Sequence, residues 1–293
     1  MKTGFWGAIA ITGSSLCFGL LVSPSDGALP EVKRSQPESV LQRTTGTSSR
    51  FLSQANLSFD VDLLAKVIQQ FFKSAAYQTE SEIQVSSVDG NTTVQSGVKV
   101  KTIAQHPNKF RSEITFTKSG DGTQKITTLI VSNGSKVWLY RSDLNQYQAL
   151  DYEQFDNLED TFWLGFSNSI YTQIPSEVRD YILEAKPSSQ EIVEAAGLEM
   201  GDIRGGKRIV DNQSLYAYEY KDAKDGFMFT AFVEPSTATL QQLQIAGKSD
   251  GMNVTISERI LSRTANPAIA PDTFTFSPPT GSKQVDTLEI GPL

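Results

Sequence analysis

Residues 126–140 read ITTLIVSNGSKVWLY. Asn133-Gly134 is a two-residue turn signal, and the runs on either side, 126–131 and 137–140, are rich in strand-forming residues. Large apolar side chains stand at successive positions in both runs, so they fall on both faces of each strand. Each face of this hairpin therefore needs cover. Immediately upstream, Phe110, Ile114 and Phe116 alternate with Arg111, Glu113 and Thr115, which gives a strand with one buried and one wet face. Further back, Ile83 and Val85, a turn at Val88-Asp89-Gly90-Asn91, and Val94, Val98 and Val100 read as another hairpin. Pro107-Asn108 and Gly120-Asp121-Gly122 punctuate the connections.

A helix precedes these strands. Asp60 is placed to cap it, and Leu63, Leu64, Val67, Ile68, Phe71 and Phe72 recur at helical spacing as one wide apolar stripe. Beyond the central hairpin, residues 151–183 carry Phe155, Leu158, Phe162, Trp163, Phe166 and Ile170 at three-to-four spacing behind acidic Asp151, Glu153 and Asp156, the pattern of one or two helices. Residues 190–200 read as a second helical piece, followed by a glycine-rich stretch at 201–206. Alternation then resumes through Ile209, Tyr216, Tyr218, Tyr220, Phe227, Phe229, Ala231, Val233, Leu243, Ile245, Val254, Ile256 and Ile260. Many short strands with polar turns and no internal repeat imply an α+β protein built on an antiparallel sheet.

The N-terminal region has a different character. Lys2 is followed by an almost uncharged stretch from Gly4 to Val22 and then by Ser23-Pro24 and Asp26-Gly27-Ala28, the layout of a secretory signal cleaved near Ala28. Gly, Ser and Thr interruptions weaken it as a permanent span, and a retained anchor is the alternative. Cys17 follows Leu16, which does not suit lipidation. Residues 29–58 are rich in Ser, Thr, Gln and Pro, a disordered tether. The folded domain is expected over 59–293. Five Asn-x-Ser/Thr triplets, at Asn56, Asn91, Asn133, Asn212 and Asn253, would mean surface glycans in a eukaryotic secretory route and are equally explained as turn chemistry.

Composition removes several function classes. The chain has 293 residues, with 26 Lys and Arg against 33 Asp and Glu and a net charge of -7. That balance argues against nucleic acid or anionic headgroups as partners. It has one Cys and one His, so after signal cleavage no thiol remains, and His106 is the only nitrogen candidate for a metal. No metal or cofactor is expected. No glycine-rich phosphate loop is present, and Gly201, Gly205 and Gly206 do not open a helix after a strand. Glu80 with Glu82, or Asp151 with Glu153, reads as a solvated face rather than an acid–base pair. No catalytic residue is assigned, and the protein is not expected to be an enzyme.

What remains is an apolar surplus, with 16 Phe, 9 Tyr and 3 Trp. A curved sheet with two-faced strands and aromatic helices either wraps an apolar ligand or is plugged by its own helices as an ordinary core. Three ordered segments bear on this. Residues 129–140, LIVSNGSKVWLY, resemble the strand–turn–strand signature of the periplasmic outer-membrane lipoprotein carrier family. Residues 273–281, TFTFSPPTG, with Val285-Asp286 after them, are similar to its C-terminal segment, and residues 103–110 around His106-Pro107-Asn108 resemble its proline turn.

The resemblance implies a half-open antiparallel β-barrel whose concave face is covered by helices, with an apolar cavity that shields a lipid or lipoprotein acyl chain without catalysis. It implies partners among lipids or acylated lipoproteins and inner- and outer-membrane envelope proteins, and a periplasmic location. The cavity-wall candidates are Phe71, Phe72, Ile83, Val85, Leu139, Phe155, Phe162, Trp163 and Phe166. In the family an arginine before the turn proline latches the helical lid. His106 stands at the matching position, and its shorter, mostly neutral side chain predicts a weaker latch. The same half-barrel also resembles envelope interaction and stress-sensing modules, in which the core is self-filled.

Overall fold

Asp60 caps helix α1 (Val61–Phe72), its carboxylate accepting from the Leu63 amide at 2.9 Å. The apolar stripe on α1 buries Leu63, Leu64, Val67, Ile68, Phe71 and Phe72, as the spacing requires. The computed structural model describes residues 59–89, 92–117, 125–158, 160–222, 226–249 and 251–291. The expected signal 1–28 and tether 29–58, and the turns at Gly90-Asn91 and Gly120-Asp121-Gly122, lie outside the described residues.

After α1 come β1 (Ala76–Asp89), β2 (Thr92–Gln105), β3 (Lys109–Thr117), β4 (Lys125–Asn133), β5 (Lys136–Arg141) and β6 (Gln146–Asp151). Helical segments α2 (Tyr152–Asp156), a 3₁₀ turn (Thr161–Leu164), α3 (Phe166–Gln173), α4 (Ser176–Glu184) and α5 (Ser189–Ala195) follow. The chain then returns to strands β7 (Ile203–Val210), β8 (Gln213–Lys221), β9 (Met228–Glu234), β10 (Thr239–Ser249), β11 (Met252–Ala265) and the short β12 (Lys283–Gln284).

These strands form one large, curved, unclosed 12-stranded sheet, ordered β12-β6-β5-β4-β3-β2-β1-β11-β10-β9-β8-β7. Two antiparallel meanders, β1 to β6 and β7 to β11, meet where β1 pairs with β11. Only β12, which runs parallel to β6, departs from the antiparallel pattern among the described pairings. The helices inserted between β6 and β7, together with α1, cover one face. Ile83, Val98, Val100, Ile114, Ile130 and Leu139 project into that face and join the helices in a single core.

The other face of the central hairpin is covered too. Val137 and Leu139 point inward, so Trp138 and Tyr140 point outward. Phe276, in the segment between β11 and β12, stacks on Trp138 at 6.2 Å between ring centroids and reaches Tyr140 at 6.4 Å and Tyr147 at 5.6 Å.

Three local expectations are corrected. Residues 146–151 form β6, which the sequence pattern did not reveal because its residues lack a strong apolar alternation. The 151–183 region is three α-helices and a 3₁₀ turn rather than one or two helices. It breaks at Gly165, whose φ is 90°, and at Pro175, which caps α4. The glycine-rich stretch belongs largely to β7. A Cβ on Gly205 would stand 2.5 Å from Phe59 Cβ and 2.8 Å from the Tyr216 ring, so glycine is what lets Phe59 lie on the strand.

Phe276→Ala strips the outer cover from Trp138, Tyr140 and Tyr147 without touching the helical side. It is expected to lower stability by about 2 kcal/mol, read as a reduced urea midpoint. An unchanged midpoint would show that this outer contact contributes nothing.

Candidate binding site

All the cavity-wall candidates lie in one body of side chains. Phe71, Phe72, Ile83, Val85, Leu139, Phe155 and Trp163 are buried in the core, and Phe162 and Phe166 pack half-buried against it. The structure brings them together in pairs. Phe71 and Phe72 meet edge-on at 5.1 Å, Phe162 and Trp163 lie tilted against each other at 4.7 Å, and Trp163 stands edge-on to Phe116 at 5.2 Å. Phe155 faces Phe110 at 5.8 Å. Beside Phe155 the pocket measures about 10 Å³, room for at most one water. The interior beside Phe155 is thus occupied by the protein's own rings. A larger groove of about 330 Å³ runs between α1 and the ends of β10 and β11, and Phe71 is the one wall candidate that lines it.

The helical cover is fastened by polar groups that composition did not single out. Glu258 lies on the inward register of β11 between Ile256 and Ile260, fully buried. It accepts from the Ser167 amide at 2.7 Å and the Ser167 hydroxyl at 2.6 Å, which ties the start of α3 to the sheet. Gly165 makes this approach possible, since a Cβ there would stand 2.5 Å from a Glu258 carboxyl oxygen. The next residue, Asn168, donates to Thr102 at 3.2 Å, and Thr102 shares a 2.7 Å hydrogen bond with Ser112. Tyr171 donates to the Ser74 carbonyl at 2.8 Å. The signal for Glu258 was present in the sequence: a carboxylate at the period-two position where Val254, Ile256 and Ile260 are apolar.

Arg263 follows on the same strand. Its guanidinium lies 3.8 Å from the Phe71 ring centroid, 3.9 Å from that of Tyr77 and 5.4 Å from that of Tyr171. Burial pulls its pKa down to about 10, so it stays charged at neutral pH. His106, which the resemblance matches to a latch residue, places Nε2 3.1 Å from the Ser176 hydroxyl at the start of α4. Burial, then the nearby Arg179 charge, lowers its pKa, so the ring is neutral near pH 7. The spaced carboxylates face outward or serve as caps. Glu82 pairs with Arg259 at 2.8 Å and Glu80 with Lys101 at 3.1 Å, and Asp151 closes a capping box on α2.

The segment after β12 closes the edge of the cover. Leu288 and Ile290 insert into the core. The Ile290 carbonyl accepts from Thr128 at 2.7 Å, and its amide donates to Asp160 at 2.6 Å. Arg141, held by Asp143, donates to the Gly291 carbonyl at 2.9 Å. Among the described residues no three His, Cys, Asp or Glu side chains gather as a metal would require, and no helix is long and apolar enough to cross a membrane.

Burial pushes the Glu258 carboxyl above the ordinary value of 4.5, outweighing the hydrogen bonds from Ser167. A carboxyl with a raised folded-state pKa holds its proton more tightly when folded. Its stabilising contribution is complete below the unfolded value and is lost as pH rises toward the folded one. Glu258→Gln keeps a neutral group in place. Its stability relative to the parent should therefore improve steadily above pH 4.5, while groups common to both proteins cancel in the difference. Glu258→Ala strands the Ser167 amide and should cost about 2–4 kcal/mol. Urea titrations from pH 4 to 8 check both, and a parent–Gln difference flat in pH would contradict the first.

No protein-family model matches the chain, and no curated protein matches its sequence. Solved structures similar to it include a DUF1329 family protein from Desulfovibrio piger, 12% identical over 73% of this chain and 95% of that one, with a TM-score of 0.31. A LolA superfamily protein from Nitrosomonas europaea is 10% identical over 73% of this chain and 96% of that one, with a TM-score of 0.29. The MucA/MucB complex of Pseudomonas aeruginosa is matched at 11% identity over 74% of this chain and 60% of that one, with a TM-score of 0.27. These likenesses are distant, and they concern the fold.

Proposed function

We propose that this is an exported, non-catalytic binding protein of the periplasm that shelters an apolar chain, a lipid or the acyl chain of a lipoprotein, between the concave face of its sheet and the helical cover. The observation that carries this reading is the nature of the cover. Helices of five to nine residues from α2 to α5 lie over a continuous apolar layer. Helices so short have little stability of their own and depend on packing and a few fastenings. A cover of this kind can lift and re-close over a guest. Burying an acyl chain is worth about 0.8 kcal/mol per methylene and needs apolar walls rather than catalytic groups. The segments that resemble the lipoprotein carrier family support the same reading, with inner- and outer-membrane proteins as donor and acceptor.

The filled interior favours a second reading, an envelope interaction or stress-sensing module whose helices serve as a docking face and whose core never opens. Native mass spectrometry of residues 29–293, purified without detergent from an exporting bacterial host, separates the two. A stoichiometric adduct that is lost on denaturation and identified as a lipid or acylated peptide is the expected result. A clean mass that stays clean after incubation with an acylated lipopeptide would sink the carrier reading in favour of the interaction module.

A further inference from the structure

The seam between β10 and β11 opens at one end. Their ladder stops at Gln242 opposite Arg259, and beyond that point β11 pairs with β1 alone. Both strands are irregular there. Gln241 is skipped in the register of β10 with β9, and Leu261 is skipped in the register of β11 with β1. A bulge re-aims the side chains that follow it. On β11 it changes the parity of the strand, so that Ser262 takes the outward position beside Glu80 and Arg263 turns toward the buried face. The open seam and the last turns of α1 form the groove of about 330 Å³.

The lining of this groove mixes apolar, neutral polar and cationic groups. Val67, Phe71, Leu240, Ile260 and Leu261 supply the apolar walls, Gln70, Thr239, Gln241 and Ser262 supply neutral polar groups, Lys73 and Arg263 supply the charge, and no Asp or Glu lines it. That is a local inversion in a protein of net charge -7. Arg263 has no ion-pair partner among the described residues, and its Nε is buried without a hydrogen-bond partner. One Nη2 contact to the Phe71 carbonyl is long, at 3.4 Å. Nε is sealed and rings lie close to the guanidinium, so the Nη groups are what remains to meet a carboxylate from the groove.

We propose that this groove binds a free fatty carboxylate, its head on Arg263 and its chain along Phe71, Leu240 and Leu261. The assignment rests on the reading of the protein as a binder of apolar chains and adds the head group and the place of binding. A carboxylate here supplies the counter-charge that Arg263 lacks among the described residues, and the apolar walls strengthen the contact by limiting water.

The test is calorimetric titration of the full chain with decanoate and with decan-1-ol, for the parent, Arg263→Gln and Gln241→Glu. The parent should bind decanoate more tightly than the alcohol. Arg263→Gln should weaken decanoate by about tenfold or more and leave the alcohol within about twofold, a change in head-group preference that a purely structural role for Arg263 would not produce. Gln241→Glu adds a negative charge to the groove at a partly exposed, nearly isosteric position. It should weaken decanoate in the same direction, and it carries the test if Arg263→Gln does not fold. Equal binding of acid and alcohol by the parent overturns the carboxylate assignment while leaving the apolar-chain reading intact. Decanoate affinity unchanged in Gln241→Glu also overturns it. Binding of neither compound overturns the groove as a site, whereas the reading of the whole protein is decided separately by the adduct seen in native mass spectrometry.

Discussion

A carboxyl group sealed from solvent in the middle of a sheet has to be satisfied by hydrogen bonds, and at Glu258 the whole arrangement of the cover answers to that requirement. Its two oxygens take the amide and hydroxyl of Ser167. That places the start of α3, with Gly165 and the 3₁₀ turn before it, at a fixed height above β11. Trp163 and Leu164 are thereby set down on the sheet, and Asn168, the next residue after Ser167, reaches Thr102 on β2. The two strands so linked belong to the two sides of the β1 seam. The cover therefore also bridges the meanders that β1 and β11 join.

The remaining cover is built on the same economy. Among the described residues α1 is the one long, strongly amphipathic helix, and it stands largely on apolar packing. The short helices are set down by hydrogen bonds at their ends: Ser176 beside His106, Ser188 with Glu191 in a capping box, and Tyr171 on the Ser74 carbonyl. The segment after β12 works as a wedge. Its backbone is held by Thr128, Asp160, Arg141 and Gln148, and this lets Leu288 and Ile290 fill the core beside β4 without a strand or helix of their own. Side chains thus supply the hydrogen bonds that an irregular buried backbone cannot make for itself.

Much of this was legible in the sequence where local rules suffice. The Asp60 cap, the α1 stripe, the alternation of Phe110, Ile114 and Phe116, and the Asn133-Gly134 hairpin are each set by neighbours within a few residues. β6 was not legible, because Gln148 is buried only by virtue of the 286–288 backbone it bonds, a partner far away in sequence. Arg263 was hidden for another reason. Simple alternation from Val254 points it outward, and the bulge at Leu261 reverses that. Glu258 stood in plain view in the apolar register, but a rule that lists only apolar positions passes over it. The aromatic wall candidates were found as buried residues, yet composition does not tell a ring that faces a void from a ring that faces another ring. Phe116 against Trp163 and Phe110 against Phe155 are of the second kind.

That distinction governs how such a protein can take a guest. Exchanging the contacts of its own rings for those of an acyl chain changes little in apolar area, since about 25 cal/mol per Å² applies to either partner. Hydrophobic burial therefore does not decide between the closed and the loaded state. The polar fastenings do, because each one broken without replacement leaves a buried donor or acceptor unmet at a cost of about 1–3 kcal/mol. Under the proposed function, Ser167 on Glu258 and Asn168 on Thr102 would set the threshold for lifting α3. The groove beside α1 lies outside this constraint. It is already open, and the carboxylate proposed for it would need no fastening of the cover to be broken. From Phe71 the aromatic contacts run through Tyr171 into the core beneath the helical cover, so the groove and the core are joined by packed rings.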